Sequence, residues 1–462
     1  MGAGEPSALG VKGANSEQVG ATQRRALGSA FWGLWAATGI SSVGDGLVAV
    51  ALPLLATRLT HSALVIAGVA AVNRGASALG ALPAGALADR FNRWKAMVAS
   101  DLVSGSAMVL LVMAIALGSP GVPGLYLASA VLGLCEMVYR LSMQGAFPDV
   151  VGDHSALGTA NGRLIAVEGA GEQFVGPGIG GVLFGVARSL PFGADALSFF
   201  ASAALVGASH PRPPAGVAPG GTLSGQAGGT AAGAGPGEPR GSTVPVPDSG
   251  ASRVYRAWRA DMAEGLRAFR SLPGVRALTL ATSSQALCNW MVLGVLVVYA
   301  ERSLHLGTTG YGLFYAFAAL AGVVGSFFGG WFQRRFGTRR VMVGAGLACA
   351  VSYAGLSVTI GAVAAVFVYG LGEFAVAVYN VGSVTARQRL VPRAMFGRVG
   401  GIYRLAVLAV SPLGALVGGA VATAAGPRVT MVVASASVLA LLAVWGPKCW
   451  RQLVGVDDRP VT

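Results

Sequence analysis

The chain has 462 residues, of which 54% are hydrophobic and only 11% are charged. A soluble domain carries roughly 25% charged residues, so this composition excludes an ordinary soluble protein of the same length. The net charge of +14 comes from basic residues that lie between apolar blocks. Because no stripe of aromatic and basic residues accompanies them, we expect no nucleic-acid partner.

Twelve apolar blocks follow one another along the chain, and each is long enough to cross a membrane. About 20 residues span a hydrocarbon core of ~30 Å. We predict spans at residues 31–54, 63–86, 97–117, 123–143, 164–187, 192–209, 277–299, 309–332, 341–359, 362–384, 400–422 and 428–446. The fold class is therefore an all-α membrane protein with twelve transmembrane helices in two six-helix domains, residues 31–209 and 273–446.

Polar segments lie before, between and after the two predicted domains. Residues 1–30 form an N-terminal tail, and the span that follows is too long for a signal peptide. Residues 210–252 contain mainly Gly, Pro, Ala and Ser, which predicts a disordered linker. Residues 253–272 carry apolar side chains at spacings of three and four among arginines, which is typical of an amphipathic helix on a membrane surface. Residues 447–462 form a C-terminal tail.

The basic residues also predict how the chain is oriented. With the N-terminus in the cytoplasm, cytoplasmic segments hold 28 Lys and Arg residues and outer segments hold four. Cytoplasmic loops of membrane proteins carry such an excess. We therefore expect a multi-pass protein of the cytoplasmic (inner) membrane with both termini cytoplasmic.

The two halves repeat each other in sequence. Asp45 and Asn289 are 244 residues apart, and Gly85 and Gly329 have the same separation. Glu136 and Glu373 occupy matching positions in the fourth and tenth spans. Several such pairs in order indicate a parallel duplication of a six-span unit, as found in membrane transporters.

Two motifs resemble those of the major facilitator superfamily, and the likeness extends over roughly residues 31–446. Gly85-x-x-x-Asp89-Arg90-x-Asn92-Arg93-x-Lys95 is similar to the signature loop between spans two and three. It has Asn92 where the family usually has Gly, and Asn also tolerates a left-handed turn. The resemblance implies that Asp89 pairs with cations on neighbouring helix ends, Arg140 or Arg398, in one conformation only. A loop that only sets the topology is the alternative.

The second motif lies in span five and resembles the signature of proton-coupled exporters. It comprises Gly176, Pro177, Gly180 and Gly181, with Glu172 at the position of an upstream glycine. The resemblance implies a hinge or seal that favours export, whereas helix packing alone is the alternative. Ser42–Asp45 and Glu264–Arg276 are similar to the subgroup that contains macrolide and siderophore exporters.

Charged residues inside the spans are the candidates for coupling, because each costs several kcal/mol at the centre of a bilayer. Asp45 lies in span one, Arg74 in span two, and Glu168 and Glu172 in span five. The two glutamates share a helical face, so one of them is expected to keep its proton near neutral pH. We interpret Asp45 and Glu168 or Glu172 as proton-carrying groups, with Arg74 as a mobile counter-charge. The alternative is a static pair between Arg74 and a carboxylate.

Four further residues are candidates for the wall of a substrate cavity: Asn289, Trp290, Glu136 and Glu373. The recurrence of Glu136 and Glu373 in both halves also fits a structural role. Asp195 and Glu301 are expected near the outer surface, without a particular role.

The predicted function is export of an amphiphilic small molecule, such as an antibiotic or siderophore, by proton antiport with alternating access. The partners expected are this substrate, protons and the lipid bilayer, with the protein as a monomer. No phosphate-binding loop occurs and the four cysteines have no metal-site spacing, so we expect no cofactor and no metal. An importer or lipid flippase of the same fold is the alternative within transport. A polytopic membrane enzyme or receptor is the alternative from another class, although the four histidines are far apart in sequence.

Overall fold

A computed structural model describes residues 27–90, 92–118, 120–151, 156–209, 266–267, 269–392 and 395–453, with only the backbone described at residues 82–90, 397–398 and 445–453. Eleven long helices are α1 Ser29–Leu59, α2 Ala63–Arg90, α3 Arg93–Ala116, α4 Gly121–Val151, α6 Leu190–Ala208, α7 Pro273–Ser303, α8 Thr308–Phe336, α9 Thr338–Val358, α10 Ala362–Leu390, α11 Phe396–Ala425 and α12 Pro427–Leu453. The fifth helix, α5, comprises the α-helical segment Leu157–Gly169, a π-helical turn Ala170–Val175 and the α-helical segment Gly176–Val186.

The helices have the length and composition of membrane spans. In the described residues, eleven are long and apolar enough to cross a membrane. The π turn divides α5 into segments of 13 and 11 residues, each too short to span by itself. With α5 taken as one helix, the predicted fold class is confirmed.

The two halves repeat the same packing arrangement. In the N-terminal half, α1 packs against α5 and α6, α2 against α4, and α3 against α4 and α6. The same five pairs recur in the C-terminal half, where α7 packs against α11 and α12, α8 against α10, and α9 against α10 and α12. This correspondence is what a duplicated six-helix unit requires.

The halves meet along two crossings, α2 with α11 and α5 with α8. We call one end of the bundle the basic end, since it holds the α2–α3, α4–α5, α8–α9 and α10–α11 connections with their arginines. The other end, with the α1–α2 and α7–α8 connections, is the opposite end.

Polar contacts join the halves at the opposite end. Thr57 Oγ1 donates to Glu301 Oε1 at 3.2 Å, and Arg58 Nη2 lies 3.8 Å from the same oxygen. Arg302 Nη2 donates to the carbonyl of His61 at 2.7 Å. The backbone amide of Leu64 donates to Thr423 Oγ1 at 2.9 Å. These contacts link α1 and α2 to α7 and α11, so they close this end.

Several helices extend beyond the predicted spans at the basic end. The sequence predicts a span at 123–143, whereas α4 continues to Val151. The additional turns place Phe147 and Val150 in a cluster with Phe31 of α1 and Trp94 of α3. Hydropathy identifies only the stretch that meets lipid, while packing between helices continues past it.

The segments between and around the halves are only partly described. The predicted linker 210–252, residues 1–26 and most of the predicted amphipathic helix lie outside the described residues. At the start of α7, Phe269 and Leu272 pack against a small cluster of Val275, Val391 and Val399.

Candidate functional site

A cavity of about 630 Å³ lies between the halves. Its volume is within the ~300–1,000 Å³ range of small-molecule sites. The N-terminal half contributes the charged side chains Asp45, Arg74, Asp101, Glu136, Arg140, Glu168 and Glu172. The C-terminal half contributes Trp290, Leu293, Tyr311, Tyr315 and Arg404. One wall is therefore strongly charged and the facing wall is mainly aromatic.

The cavity reaches the surface at the basic end. Gln144, Asn161 and Arg404 line it there and are exposed. Towards the opposite end, Tyr311 is buried, and beyond it lie the contacts between Arg58, Thr57 and Glu301. Among the described residues, the cavity is therefore open towards the basic end and covered towards the opposite end.

Asp45 lies on α1 and lines the cavity. Carboxyl groups of four other helices interact with it electrostatically: Asp195, Glu172, Glu136 and Asp101. The acidic side chains of the N-terminal half thus form one group around α1 rather than separate sites.

Arg140 on α4 is held between two carboxylates. Its Nη2 lies 3.1 Å from Glu136 Oε1, and its Nη1 lies 2.8 Å from Glu168 Oε1. Glu136 is one helical turn away on α4, while Glu168 belongs to α5. Since charge-assisted contacts of this kind are short and directional, Arg140 fixes α5 against α4 at the mouth of the cavity. The sequence suggested Arg140 as a partner of Asp89, whose side chain lies outside the described residues.

Arg74 lies on α2 and contacts the other half. Its guanidinium carbon is 4.9 Å from the ring centroid of Trp290 on α7, which is the geometry of a cation–π contact. In the described part of the chain, no carboxylate lies within ion-pair distance of it. The static Arg74–carboxylate pair is thus absent from this conformation, although Glu172 lies near enough to interact with Arg74 at longer range.

Glu168 and Glu172 both line the cavity, but the helix between them is irregular. The π turn Ala170–Val175 contains Glu172 and widens the helix there. The sequence predicted a regular four-residue spacing and gave no sign of this turn. Such turns occur often at functional sites.

The glycines of the span-five motif permit close helix contacts on two sides. A Cβ at Gly180 would lie 2.8 Å from the backbone of Leu47 on α1, and Gly176 meets Gly46 in the same way. A Cβ at Gly181 would lie 2.6 Å from the carbonyl of Thr308 and 2.8 Å from Gly312 on α8. Pro177 is buried beside them. The motif therefore packs α5 against its own half and against the other half.

The signature loop is described only in part. Of Gly85, Asp89 and Arg90 the structure gives the backbone, which is helical to Arg90. Arg93 Nη1 donates to the carbonyl of Gly145 at 2.6 Å, tying α3 to α4. Asn92 has φ −59° and caps α3, its side-chain oxygen accepting from the amides of Trp94 and Lys95. Asn92 therefore serves as an N-cap, and the left-handed conformation that Asn would tolerate is not used here.

Two of the predicted cavity residues line this cavity and two do not. Trp290 and Glu136 belong to its wall. Asn289 lies within the C-terminal half, where its Oδ1 accepts from Tyr353 OH at 2.9 Å. Glu373 lies on α10 beside Tyr369. Neither belongs to the described wall.

Sequence reasoning missed two acidic residues. Asp101 on α3 lines the cavity and is 3% exposed, although its position in a predicted span could have identified it. Asp195 was expected near the outer surface, which is wrong, because it is 1% exposed in the interior of α6. Within the described residues, no three His, Cys, Asp or Glu side chains are arranged to hold a metal ion.

Comparisons with known proteins agree with this architecture. The sequence pattern of the Major Facilitator Superfamily matches residues 34–379 and 278–449. No curated protein sequence matches the chain.

Several solved structures share the fold at low sequence identity. A bacterial homologue of the human lysosomal transporter Spinster, inward-facing and occupied, has a TM-score of 0.71 at 13% identity, covering 93% of this chain and 98% of that chain. The nucleoside transporter NupG has a TM-score of 0.65 at 11% identity, covering 91% and 99%. An inward-facing bacterial homologue of the iron transporter ferroportin has a TM-score of 0.65 at 15% identity, covering 91% and 98%.

Proposed function

Since this chain belongs to the Major Facilitator Superfamily of membrane transporters, we propose that it exports an amphiphilic small molecule in exchange for protons. The substrate class is an antibiotic, a siderophore or a related metabolite. Transport proceeds by alternating access, in which the central cavity opens to one side of the membrane at a time.

The proposal depends on the difference in chemistry between the two facing walls of the cavity. One wall holds Asp45, Glu168 and Glu172, and the facing wall holds Trp290 and Tyr315. An aromatic wall accommodates the apolar body of a ligand, and a few polar groups fix its orientation. Carboxyl groups in the same cavity can exchange protons with the aqueous phase, so proton and cargo share one compartment.

In the proposed export cycle, this conformation is the one that takes up cargo from the cytoplasm. If the basic end is cytoplasmic, as the excess of basic residues predicts, the open cavity faces the cytoplasm. Cargo would enter from that side, and the contacts at the opposite end, such as Arg58 with Glu301, would break when the cavity opens outward.

We assign proton coupling to Asp45 and to one of Glu168 and Glu172. Arg74 serves as the counter-charge, because it lies in the same cavity and has no ion-pair partner among the described residues. The span-five glycines, including Gly181, would act where the halves rock past each other, and the signature loop with Asp89 would stabilise one of the two conformations.

Accumulation of amphiphilic antibiotics and dyes in a host that lacks efflux pumps tests the proposal. The parent, Asp45→Asn and Glu168→Gln are compared at equal protein levels, with and without a protonophore. Asp149→Asn is the matched control, since Asp149 is 73% exposed and outside the cavity wall.

The proposal predicts lower accumulation with the parent, return to baseline with the protonophore, and loss of export in Asp45→Asn. Export by Asp45→Asn at the parent's rate would refute the assignment of that carboxylate. Raised accumulation would indicate import, the second function that this fold supports.

A further inference from the structure

Asp195 is a buried carboxyl group that the proposed coupling does not use. It lies on α6, packed against α1 beside Asp45. Gly44, the residue before Asp45, makes room for it, because a Cβ at Gly44 would collide with the Asp195 carboxyl and the Ser198 hydroxyl. The carboxyl therefore lies directly on the α1 backbone.

One oxygen of this carboxyl has a partner and the other has none in the described residues. Ser198 Oγ lies 3.1 Å from Asp195 Oδ1 and 2.8 Å from the Asp195 carbonyl. Asp195 Oδ2 is buried and accepts no hydrogen bond. A charged carboxylate in this position is costly, because Asp195 is buried and no cationic side chain of the described residues lies within ion-pair distance of it. The uncharged, protonated form suits the surroundings better.

The acidic neighbours of Asp195 come from α1 and α3. Asp45 on α1 is near enough for the two carboxyl groups to repel each other when both are charged. Asp101 on α3 also interacts with it and likewise has a buried oxygen, Oδ2, without a partner. Glu136 and Glu172 complete the acidic surroundings of Asp45. Arg140, held by Glu136 and Glu168, is the basic group that acts on Asp45.

Asp195 differs from the neighbouring carboxyl groups because it does not line the cavity. Asp45 and Asp101 line the cavity, whereas Asp195 does not belong to its described wall. A cargo molecule bound in the cavity would be able to contact Asp45, whereas Asp195 lies behind the described wall.

We propose that Asp195 is a second proton-binding residue, out of reach of the cargo, which exchanges a proton with Asp45. This inference rests on the proposed proton coupling. When the proton leaves Asp195 for a carboxylate oxygen of Asp45, Asp195 becomes charged and Asp45 neutral, and the total number of protons is unchanged. Cargo that displaces the proton from Asp45 leaves the one on Asp195 in place.

Infrared difference spectroscopy of the purified protein in lipid nanodiscs tests the inference without any cargo. The C=O stretch of protonated carboxyl groups is followed as the pH is changed, in the parent, Asp195→Asn and Asp45→Asn. We expect a pH-dependent band that disappears in Asp195→Asn. In Asp45→Asn the band remains but its midpoint moves, because the neighbouring charge is gone. Asp149→Asn, near the end of α4 and 73% exposed, is the control that should leave the band unchanged.

Two results would overturn the inference: a spectrum that is the same in the parent and Asp195→Asn, or an Asp195 band that does not respond to pH. If Asp195→Asn does not fold, Ser198→Ala replaces it. Loss of the Ser198 hydroxyl should change the frequency of the same band, and an unchanged frequency would count against the inference. Because this readout needs no transport, absence of export in cells would refute the proposed function alone.

Discussion

The N-terminal and C-terminal halves have the same helix packing but different chemistry at the cavity. Away from the helix ends, the helices of the N-terminal half contain six acidic residues: Asp45, Asp101, Glu136, Glu168, Glu172 and Asp195. The helices of the C-terminal half contain Glu373. Glu301 lies at the opposite end, where it contacts Thr57 and Arg58. The two halves thus share their helix packing, whereas most of the acidic residues within the helices belong to the N-terminal half.

The close helix crossings show what both halves have retained. In the N-terminal half, Gly180 packs on α1 and Gly181 packs on α8. In the C-terminal half, Gly414 and Gly418 pack on α7, and Gly419 packs on α2. Helices α5 and α11 thus each contact their own half and the other half through glycines. Both helices depend on small residues where backbones approach closely. In the proposed transport cycle, rocking of the halves would involve both crossings, whereas proton coupling would involve the charged wall.

The largest expected effect comes from exchanging the duplicated positions Asp45 and Asn289. Asp45→Asn should abolish proton-coupled export, and adding Asn289→Asp should not restore it. The reason is that Asn289 faces Tyr353 inside the C-terminal half and does not line the cavity. Export measured as antibiotic accumulation checks this. Restored export in the double variant would show that the two halves are interchangeable in coupling.

The next effect concerns the crossing of α5 and α8. Gly181→Ala should strongly reduce export and destabilise the protein by about 1–3 kcal/mol, because the added Cβ meets the backbone of Thr308 and Gly312. Gly178→Ala is the matched control, since its Cβ would meet Ala316 at an ordinary 3.7 Å. Thermal unfolding and export are measured together. Equal behaviour of the two variants would contradict a tight crossing.

A smaller effect is expected at Arg140. Arg140→Gln leaves Glu136 and Glu168 without their shared partner, and the side chains are 31–43% exposed. Because exposed ion pairs contribute at most about 1 kcal/mol each, the loss of stability should be modest. Arg140→Lys keeps the charge but not the forked geometry that contacts two carboxylates, so it should restore stability only in part. Full restoration in a thermal unfolding assay would mean that charge alone matters.

The smallest effect is expected at the opposite end. Glu301→Gln removes the partner of Arg58, whose nitrogen lies 3.8 Å away, and weakens the contact with Thr57. A partly exposed pair of this kind contributes roughly 0–1 kcal/mol, so opening of this end should increase by about fivefold or less. Reactivity of a cysteine introduced at Tyr311, which is buried on the cavity side of these contacts, with a thiol reagent that cannot cross the membrane measures this opening. An unchanged rate would show that other contacts hold this end closed.

The sequence was sufficient to predict the helix count, the duplication and the family, because hydropathy and repeated residues carry that information directly. It also identified Asp45, Arg74, Glu168 and Glu172, which share the cavity. It did not predict the π turn at Ala170–Val175, since such a turn depends on packing against α1. Nor did it predict the burial of Asp195, because the room for that carboxyl is made by Gly44 on a distant part of the chain.

The sequence also did not predict which side chains the two arginines of the cavity, Arg140 and Arg74, contact. Arg140 and Arg74 are both arginines within or beside predicted spans, yet one is held by two carboxylates and the other lies over Trp290. The difference depends on which helices adjoin each residue, and spacing along one helix does not contain this information.

Proton movement driven by cargo would show whether transport is coupled through the N-terminal half. Inside-out membrane vesicles with an acidified interior are loaded with a pH-sensitive dye, and a compound that the parent exports from cells is then added. We expect the compound to release protons from vesicles containing the parent and to release none from vesicles containing Asp45→Asn. Proton release of equal size in both, or none with the parent despite export, would contradict coupling through the N-terminal half.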